Sequence, residues 1–588
     1  FALGSYVSFA ILMLMNEKPR GLGLLIFLGW SAMLGLKPEF SMAQEAGLPP
    51  VFGQFEGLNA PLDIPLVLAG NFGELRQDHF HTGLDFKTEG RKGLPVLAAS
   101  DGVIARVKVS PYGYGRAIYL SDPQGLTTVY AHLQHFAPTL EQWVVEQQYA
   151  SQRFSIDERP KRAFKFVQGD TIGWSGNSGS SGGPHLHFEV RDTKTQHPIN
   201  PLFWGFDVPD AVAPELQGLW VLPVNGSQVN GSNRPVRFSP GAQTIRIEGK
   251  ARLGLEALDR LEGATNRCGI YRAELYVDRM LWFAWELDTL DFSVNRDMNA
   301  HAVYDAWDRT GEQVHRMHRL PGNRLPIYEA YRTSDVLDGG DSLARDIELR
   351  IWDVHGNGSK ERWHLLFAPP VTEKDTGLYR YDEPFAVRNG MASASGSAHV
   401  FYDDFAFPLE LQFRQGLEAR WQIGPQGVPA SLPLSVELPL DSGMRDKVIA
   451  VRMDQAGRIE GVYTGRTMRG DVFSFETKTC GIYQLVRDTI APLLRPHRQY
   501  RTSDSNELEV RGVGELRFDL SDQLSGIETY GARLDGEWIL FRWDPKRERI
   551  WYECSDQKHR RATKQALEIW ATDAAGNRVE WSGTVSFK

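Results

Sequence analysis

Gly183-Pro184-His185-Leu186-His187-Phe188-Glu189-Val190 is the stretch on which the fold turns. His185, His187 and Glu189 alternate with Leu186, Phe188 and Val190. That period of two marks a strand with one polar and one apolar face. Upstream, His81-Thr82-Gly83-Leu84-Asp85-Phe86 repeats the pattern, with His81, Gly83 and Asp85 on one side and Leu84 and Phe86 on the other. Between them, the segment Thr127 to Leu133 is expected to bury Val129, Ala131 and Leu133 and to turn Tyr130 and His132 the other way. If the three strands are sheet neighbours, their polar faces make one cleft. Two imidazoles and a carboxylate suit a catalytic zinc, which keeps a position open for water, better than a structural zinc closed by four protein ligands. A lone histidine on a strand is more often solvated or hydrogen-bonded, and His79, His135 and His197 are read that way.

Taken together, His81-x-x-x-Asp85, Tyr130-Ala131-His132-Leu133 and Gly183-Pro-His185-Leu-His187-Phe-Glu189 resemble the motifs of the M23 (LytM/lysostaphin-like) zinc metallopeptidases. Asp101-Gly-Val103, Gly113-Tyr-Gly115, Gly169-Asp-Thr-Ile-Gly173 and Asn200-Pro201 fit the same pattern, so the resemblance runs over residues 65 to 206. It implies an antiparallel β-fold with a groove, one Zn2+ per chain, and hydrolysis of the peptide cross-links of bacterial peptidoglycan. Residue by residue, His81, Asp85 and His187 match the zinc ligands. His132 and His185 match the two catalytic histidines that do not bind the metal.

The chemistry can be argued beside the resemblance. Zinc lowers the pKa of its bound water to about 7 and polarises a carbonyl. No H-E-x-x-H helix supplies a glutamate base, so a neutral histidine near the water is expected to take the proton. Either His132 or His185 serves, the other stabilising the tetrahedral oxyanion; the sequence leaves the two roles open. Glu189 shares the face of His187 and is placed to hydrogen-bond an imidazole, but a solvated or salt-bridged surface carboxylate is the reading preferred for it. The glycine-rich stretch Gly176 to Pro184 lacks the Gly-Lys-Ser/Thr ending of a phosphate loop and leads into a strand. It reads as a tight turn delivering His185, with Asn177 or Ser181 lining a peptide subsite or serving turn chemistry alone.

Between Leu133 and Val167 lies an insertion. Pro138-Thr-Leu-Glu-Gln142 is expected to start a helix with Thr139 as N-cap and Gln142 three residues on. Leu140, Trp143 and Val144 give it a short apolar face, and the pattern stops at Gln147 and Gln148. With the basic loop Arg159-Pro-Lys-Arg162, the insertion (residues 139–165) is expected either to wall the groove or to be peripheral.

Lys18-Pro-Arg20, the apolar run Leu22 to Leu36 and Ser41-Met-Ala43 read as a secretory signal over residues 1–43, cleaved after Ala43. Met15 is a natural initiator for it, and residues 1–14 then need not be native. An uncleaved anchor is the alternative, and the lack of a cysteine at the cleavage site argues against acylation. The expected location is the periplasm or cell envelope, or outside the cell. A net charge of -9 gives no reason to expect nucleic-acid binding. Cys268, Cys480 and Cys554 form no zinc motif, though one disulfide is open to them. Three Asn-Gly-Ser triplets, at Asn225, Asn230 and Asn357, are read as turns.

Downstream of the peptidase region (44–206) lies an internal repeat. Asp210-Ala-Val-Ala-Pro214 and Asp488-Thr-Ile-Ala-Pro492 each open a strand-rich segment. In the first, Leu255–Asp259, Cys268-Gly-Ile270 and Ile347–Asn357 follow; in the second, Phe518–Asp522, Ser525-Gly-Ile527 and Leu567–Asn577. Short alternating strands broken by Asp-Gly and Gly-Asn turns indicate β-sandwiches. Both copies (207–368 and 488–588) resemble immunoglobulin-like modules, with another β-rich unit at 369–487 between them. The chain is therefore expected to be mainly β, an antiparallel peptidase domain followed by two or three sandwiches. The modules are candidates for binding envelope or cell-surface proteins, beside peptidoglycan peptides as substrate. Two further functions stay open: a peptidase of secreted proteins, and a non-hydrolytic LytM-type activator of cell-wall amidases.

Overall fold

The strands that carry the histidine motifs lie side by side. In the computed structural model, which describes residues 52–587 apart from short segments, the longest at 371–377 and 501–505, the chain is mainly β. The proposed signal, residues 1–43, lies outside the described residues. The peptidase region contributes β1 (Leu68–Gly70), β2 (Leu84–Lys87), β3 (Gly102–Val109), β4 (Arg116–Ser121), β5 (Leu126–Ala131), the helix α1 (Pro138–Ser151), β6 (Ile156–Glu158) and β7 (His185–Asp192). These strands form an antiparallel sheet in the order β1-β2-β7-β5-β4-β3-β6. His187 of β7 stands opposite Asp85 of β2 on one side and Ala131 of β5 on the other.

The alternation in β7 sets its two faces. Leu186, Phe188 and Val190 enter the core with Phe86 and Tyr130, while His187 and Glu189 take the opposite face. In β5 the expected faces are reversed. Tyr130 is fully buried in the main core, its hydroxyl accepting a hydrogen bond from the Ala99 N–H at 2.8 Å, whereas Val129 and Ala131 lie in a separate cluster on the site's face. Register decides this, since Tyr130 pairs with Phe188. His132 follows β5 with a left-handed backbone (φ 60°), which breaks the alternation there. His81 precedes β2 in a turn rather than in a strand, and only Asp85 of that motif is held by sheet pairing. Gly83 is needed there, because a Cβ would lie 2.3 Å from the Phe188 carbonyl oxygen.

The insertion helix differs from its expected form. Its N-cap is Ala137 with Pro138 at the first turn, and no side chain caps it. The Glu141 carboxylate instead accepts the Phe136 N–H and pairs with Arg116. The helix continues through Gln147 and Gln148 to Ser151, because Gln148 is buried and donates its amide to the Phe154 carbonyl at 2.6 Å.

Beyond residue 206 every described domain is a β-structure. A mixed sheet contains Glu215–Val229, Thr244–Leu258, Ala344–Trp352 and Gly358–Ala368. Two five-stranded sheets follow, then a four- and a five-stranded sheet in the last segment. The repeat is visible in the pairing: Thr244–Glu248 runs parallel to His364–Ala368, and Glu507–Val510 parallel to Thr584–Phe587. Buried apolar side chains from Leu62 to Phe367 form one continuous cluster, so the sheet bearing the site and the first downstream sheet share a core. All three cysteines are buried and free, so no disulfide forms. Among the described residues no helix is long and apolar enough to cross a membrane.

Candidate metal centre

Three side chains converge from two strands and a turn. His81 Nε2, Asp85 Oδ1 and His187 Nδ1 lie 3.1, 3.0 and 2.9 Å apart pairwise. All three residues are buried. Neighbouring groups fix the tautomers. His81 Nδ1–H donates to the Asn71 carbonyl at 2.7 Å, which leaves Nε2 as a lone pair facing inward. His187 Nε2–H donates to Glu189 Oε1 at 2.8 Å, which leaves Nδ1 as a lone pair facing the same point. Asp85 Oδ2 accepts from Arg76 at 3.0 Å, so only Oδ1 is offered.

Three acceptors therefore face one another at about 3 Å with no hydrogen between them. Such a set is stable only around a cation. The edges match one, since ligands about 2.0–2.1 Å from a tetrahedral zinc stand roughly 3.3 Å apart. Without a metal, a proton takes the cation's place. Burial pulls His187 down, but its hydrogen bonds to Asp85 and Glu189 outweigh this and raise it to about 9. Burial also lowers His81. Burial alone would raise Asp85, but the imidazoles around it, His81 foremost, hold it well below the usual range.

Two further histidines flank this point. His132 Nδ1–H donates to the Ser178 carbonyl and His185 Nδ1–H to the Gly183 carbonyl, each at 2.9 Å. Both rings thereby keep Nε2 for the cleft, and their centroids are 4.7 Å apart. His185 Nε2 lies 3.4 Å from Asp85 Oδ1, beside the metal point. Burial, reinforced by His187 and His185, pushes His132 down to about 3, so it is neutral at any working pH. His79, His135 and His197 stand outside the cluster; His79 pairs with Asp78 on the surface.

Glu189 is the main correction to the sequence reading. It is wholly buried, because β7 is paired on both edges and Tyr114 covers its polar face. Its carboxylate accepts from His187, Thr82 (2.6 Å), Tyr114 (2.5 Å) and Arg191 (2.5 Å). Burial opposes ionisation, yet Arg191 and His187 hold the carboxyl far below its ordinary range. The one sequence signal for this was Arg191, two residues on and so on the same face. Asn71 and Arg76 left no such signal. The Asn71 side chain exchanges two hydrogen bonds with the Gly269 backbone, at 2.7 and 2.8 Å, tying the carbonyl that orients His81 to the first downstream module. Asn295 does the same for the Phe80 backbone.

The last module reaches the mouth of the cleft. Lys546 Nζ donates to the Asn177 and Ser181 carbonyls at 2.7 and 2.9 Å, on the glycine-rich turn that delivers His185. Trp543 packs edge-on against Tyr112, and Trp538 against Tyr149 near the end of α1. The insertion helix is thus a seat for the last module. Ser181 is buried and bonds Gly183 and His185, so it serves the turn.

Residues 79–152 match the model of peptidase family M23. The chain carries an M23-type peptidase domain. It is 34% identical over 130 residues to the DD-carboxypeptidase/endopeptidase Mpg of Neisseria meningitidis serogroup B, covering 22% of this chain and 24% of that protein. It is 30% identical over 138 residues to the peptidoglycan DD-endopeptidase ShyC of Vibrio cholerae, covering 22% and 26%. The match therefore spans about a quarter of the length of these curated relatives. Among solved structures, the catalytic domain of the prophage-encoded M23 protein EnpA from Enterococcus faecalis is 26% identical, covering 25% of this chain and 96% of that one, with a TM-score of 0.19.

Proposed function

We propose that this chain is an exported zinc metalloendopeptidase that hydrolyses peptide cross-links of bacterial peptidoglycan. The observation that carries the reading is the inward-facing acceptor triangle of His81, Asp85 and His187. The names of two relatives, a DD-carboxypeptidase/endopeptidase and a peptidoglycan DD-endopeptidase, support the substrate class. The signal-like segment at residues 1–43 supports export.

Zinc held there would supply an activated water and a Lewis acid for the scissile carbonyl. The residues of the chain do the rest. Arg76 restrains one oxygen of Asp85, so the carboxylate offers a single ligand atom. Glu189 and Asn71 fix the two ligand rings in the tautomers that face inward. His185, whose Nε2 lies 3.4 Å from Asp85 Oδ1, takes the proton from the attacking water and passes it to the leaving amine. His132, neutral and with its Nε2 lone pair toward the cleft, accepts a hydrogen bond from the attacking water and orients it, its ring fixed by the Ser178 carbonyl.

Purified protein incubated with peptidoglycan sacculi, with and without chelator, tests the reading when released fragments are identified by mass spectrometry. Chelator-sensitive release of cross-link fragments is expected. Intact sacculi, with stimulation of a separate amidase or cleavage of secreted proteins instead, would overturn it. Export is checked by the mature N-terminus, expected at Gln44.

A further inference from the structure

The internal repeat builds a related cluster of carboxylates in each copy, apart from the residues of the metal centre. In the last module, ligand-capable atoms of Asp488, Asp522 and Asp573 lie within 4.8 Å of one another. Asp488 and Asp573 are buried, at 2% and 0% exposure. Like charges this close repel one another, and two of the three carboxylates are removed from solvent. No Lys, Arg or His among the described residues pairs with any of them.

The hydrogen bonds around the cluster hold the carboxylates in place without neutralising them. Asn577 donates its backbone N–H and its amide to the two oxygens of Asp573 at 2.7 and 2.8 Å, and its amide also reaches the Asp488 carbonyl at 3.0 Å. Asp522 Oδ2 accepts the Leu524 and Gly526 N–H groups, and Asp488 Oδ1 that of Ile490. Two acceptors are left over. Asp488 Oδ2 and Asn577 Oδ1 are buried and have no hydrogen-bond partner, in residues only 2% and 3% exposed. A buried unpaired acceptor is costly, and here one belongs to the Asp488 carboxylate itself and the other to the Asn577 amide that bonds Asp573.

The first module repeats the network. Asn357 donates to Asp353 and to the Asp210 carbonyl, Asp210 Oδ1 accepts from Val212, and Asp210 Oδ2 is left without a hydrogen bond. Asp259 stands where the last module has Asp522, and burial with Asp353 and Asp210 pushes it up to about 8. His355 replaces Ala575, so this copy is not purely oxygen-lined.

We propose that the last module holds a Ca2+ ion at Asp488, Asp522, Asp573 and Asn577. Oxygen-only donors of irregular geometry suit this hard, large cation, while Mg2+ demands a near-octahedral shell and soft metals prefer nitrogen or sulfur. The ion occupies a joint. Leu524 and Ala575, on the two loops that supply ligands, pack against Ile449, Val451 and Met453 of the preceding domain. The Asp488 N–H donates to the Lys447 carbonyl of that same domain at 2.9 Å. Calcium therefore stiffens the arm that carries Lys546 to the cleft.

The test uses the full chain, stripped by chelator and resupplied with equimolar Zn2+. Calcium is then titrated to about 5 mM, above the ~10⁻⁴–10⁻³ M range of extracellular sites. Equilibrium dialysis is expected to show one Ca2+ per chain fewer in Asp522→Asn and in Asp488→Asn than in the parent. Hydrogen exchange of the parent is expected to slow with Ca2+, and not with equimolar Mg2+, in peptides covering 520–527 and 573–577. This second measurement needs no variant. An unchanged calcium count in folded variants, or unaltered exchange in those peptides, overturns the proposal; so does an equal response to Mg2+.

Discussion

Replacing Glu189 by Gln separates what the buried carboxylate does for the fold from what it does for the metal. Glutamine keeps the shape and one oxygen for His187 Nε2–H, but it loses the charge. All four neighbours of Glu189, namely His187, Thr82, Tyr114 and Arg191, point donors at it. A new N–H must therefore face a donor, and Arg191, whose side chain is 6% exposed, loses its anion. Breaking one partner of a buried ion pair costs about 3–5 kcal/mol. Loss of the partner that orients a ligating histidine weakens metal binding by about 10–100-fold, or roughly 1.4–2.7 kcal/mol. Denaturant unfolding of the chelator-treated protein reads the first quantity, and competition with a chromogenic chelator reads the second. Adding Arg191→Met removes the stranded cation, so the double variant is expected to regain most of the stability and none of the zinc affinity. A single variant with parental stability and parental zinc affinity would refute this account. Recovery of zinc affinity in the double variant would show that Glu189 acts through Arg191 alone.

His185→Ala should reduce turnover by at least about 10²-fold while leaving zinc bound, whereas His187→Ala should lose both; full activity with retained zinc in the latter would break the ligand assignment. Lys546→Ala removes the two contacts to the turn carrying His185, and a fall of about 2–10-fold in kcat/KM is expected with zinc affinity unchanged, a charged hydrogen bond contributing roughly 1.5–3 kcal/mol when buried and less at this half-exposed site; an unaltered rate counts against a role for the last module at the cleft. Zinc must displace the proton that metal-free His187 holds below about pH 9. Apparent zinc affinity should therefore rise about tenfold per pH unit up to that point and level off above it, and a flat profile from pH 6 to 9 in the chelator competition assay would contradict the proton's place at this residue.

Much of the centre is legible in single segments, because strand alternation is local. The spacing His185-x-His187 places both rings on one face of β7, and the apolar partners Leu186 and Phe188 fix which face enters the core. The same local rule misplaced Tyr130, although His132 does face the cleft. A tyrosine with a hydroxyl looks amphipathic, but opposite Phe188 it is a core residue, and one left-handed residue redirects His132. Glu189 was misread for a related reason. Alternation reports that a residue faces away from the core of its own sheet, and says nothing of what covers that face.

The residue order by itself determined a mainly β chain, the histidine- and aspartate-bearing strands, and a repeat with matching Asp and Asn positions, since each follows from periodicity or short spacing. Only the tertiary structure decided that donor atoms from His81, Asp85 and His187 meet at 2.9–3.1 Å, that Asn71 leans on Gly269, and that Lys546 reaches the turn before His185. Those are contacts across 100 residues or more of chain in most cases, as with Asn71 and Gly269, which are 198 apart. They depend on sheet register and domain packing, which the free energy of the whole fold selects and no local pattern encodes.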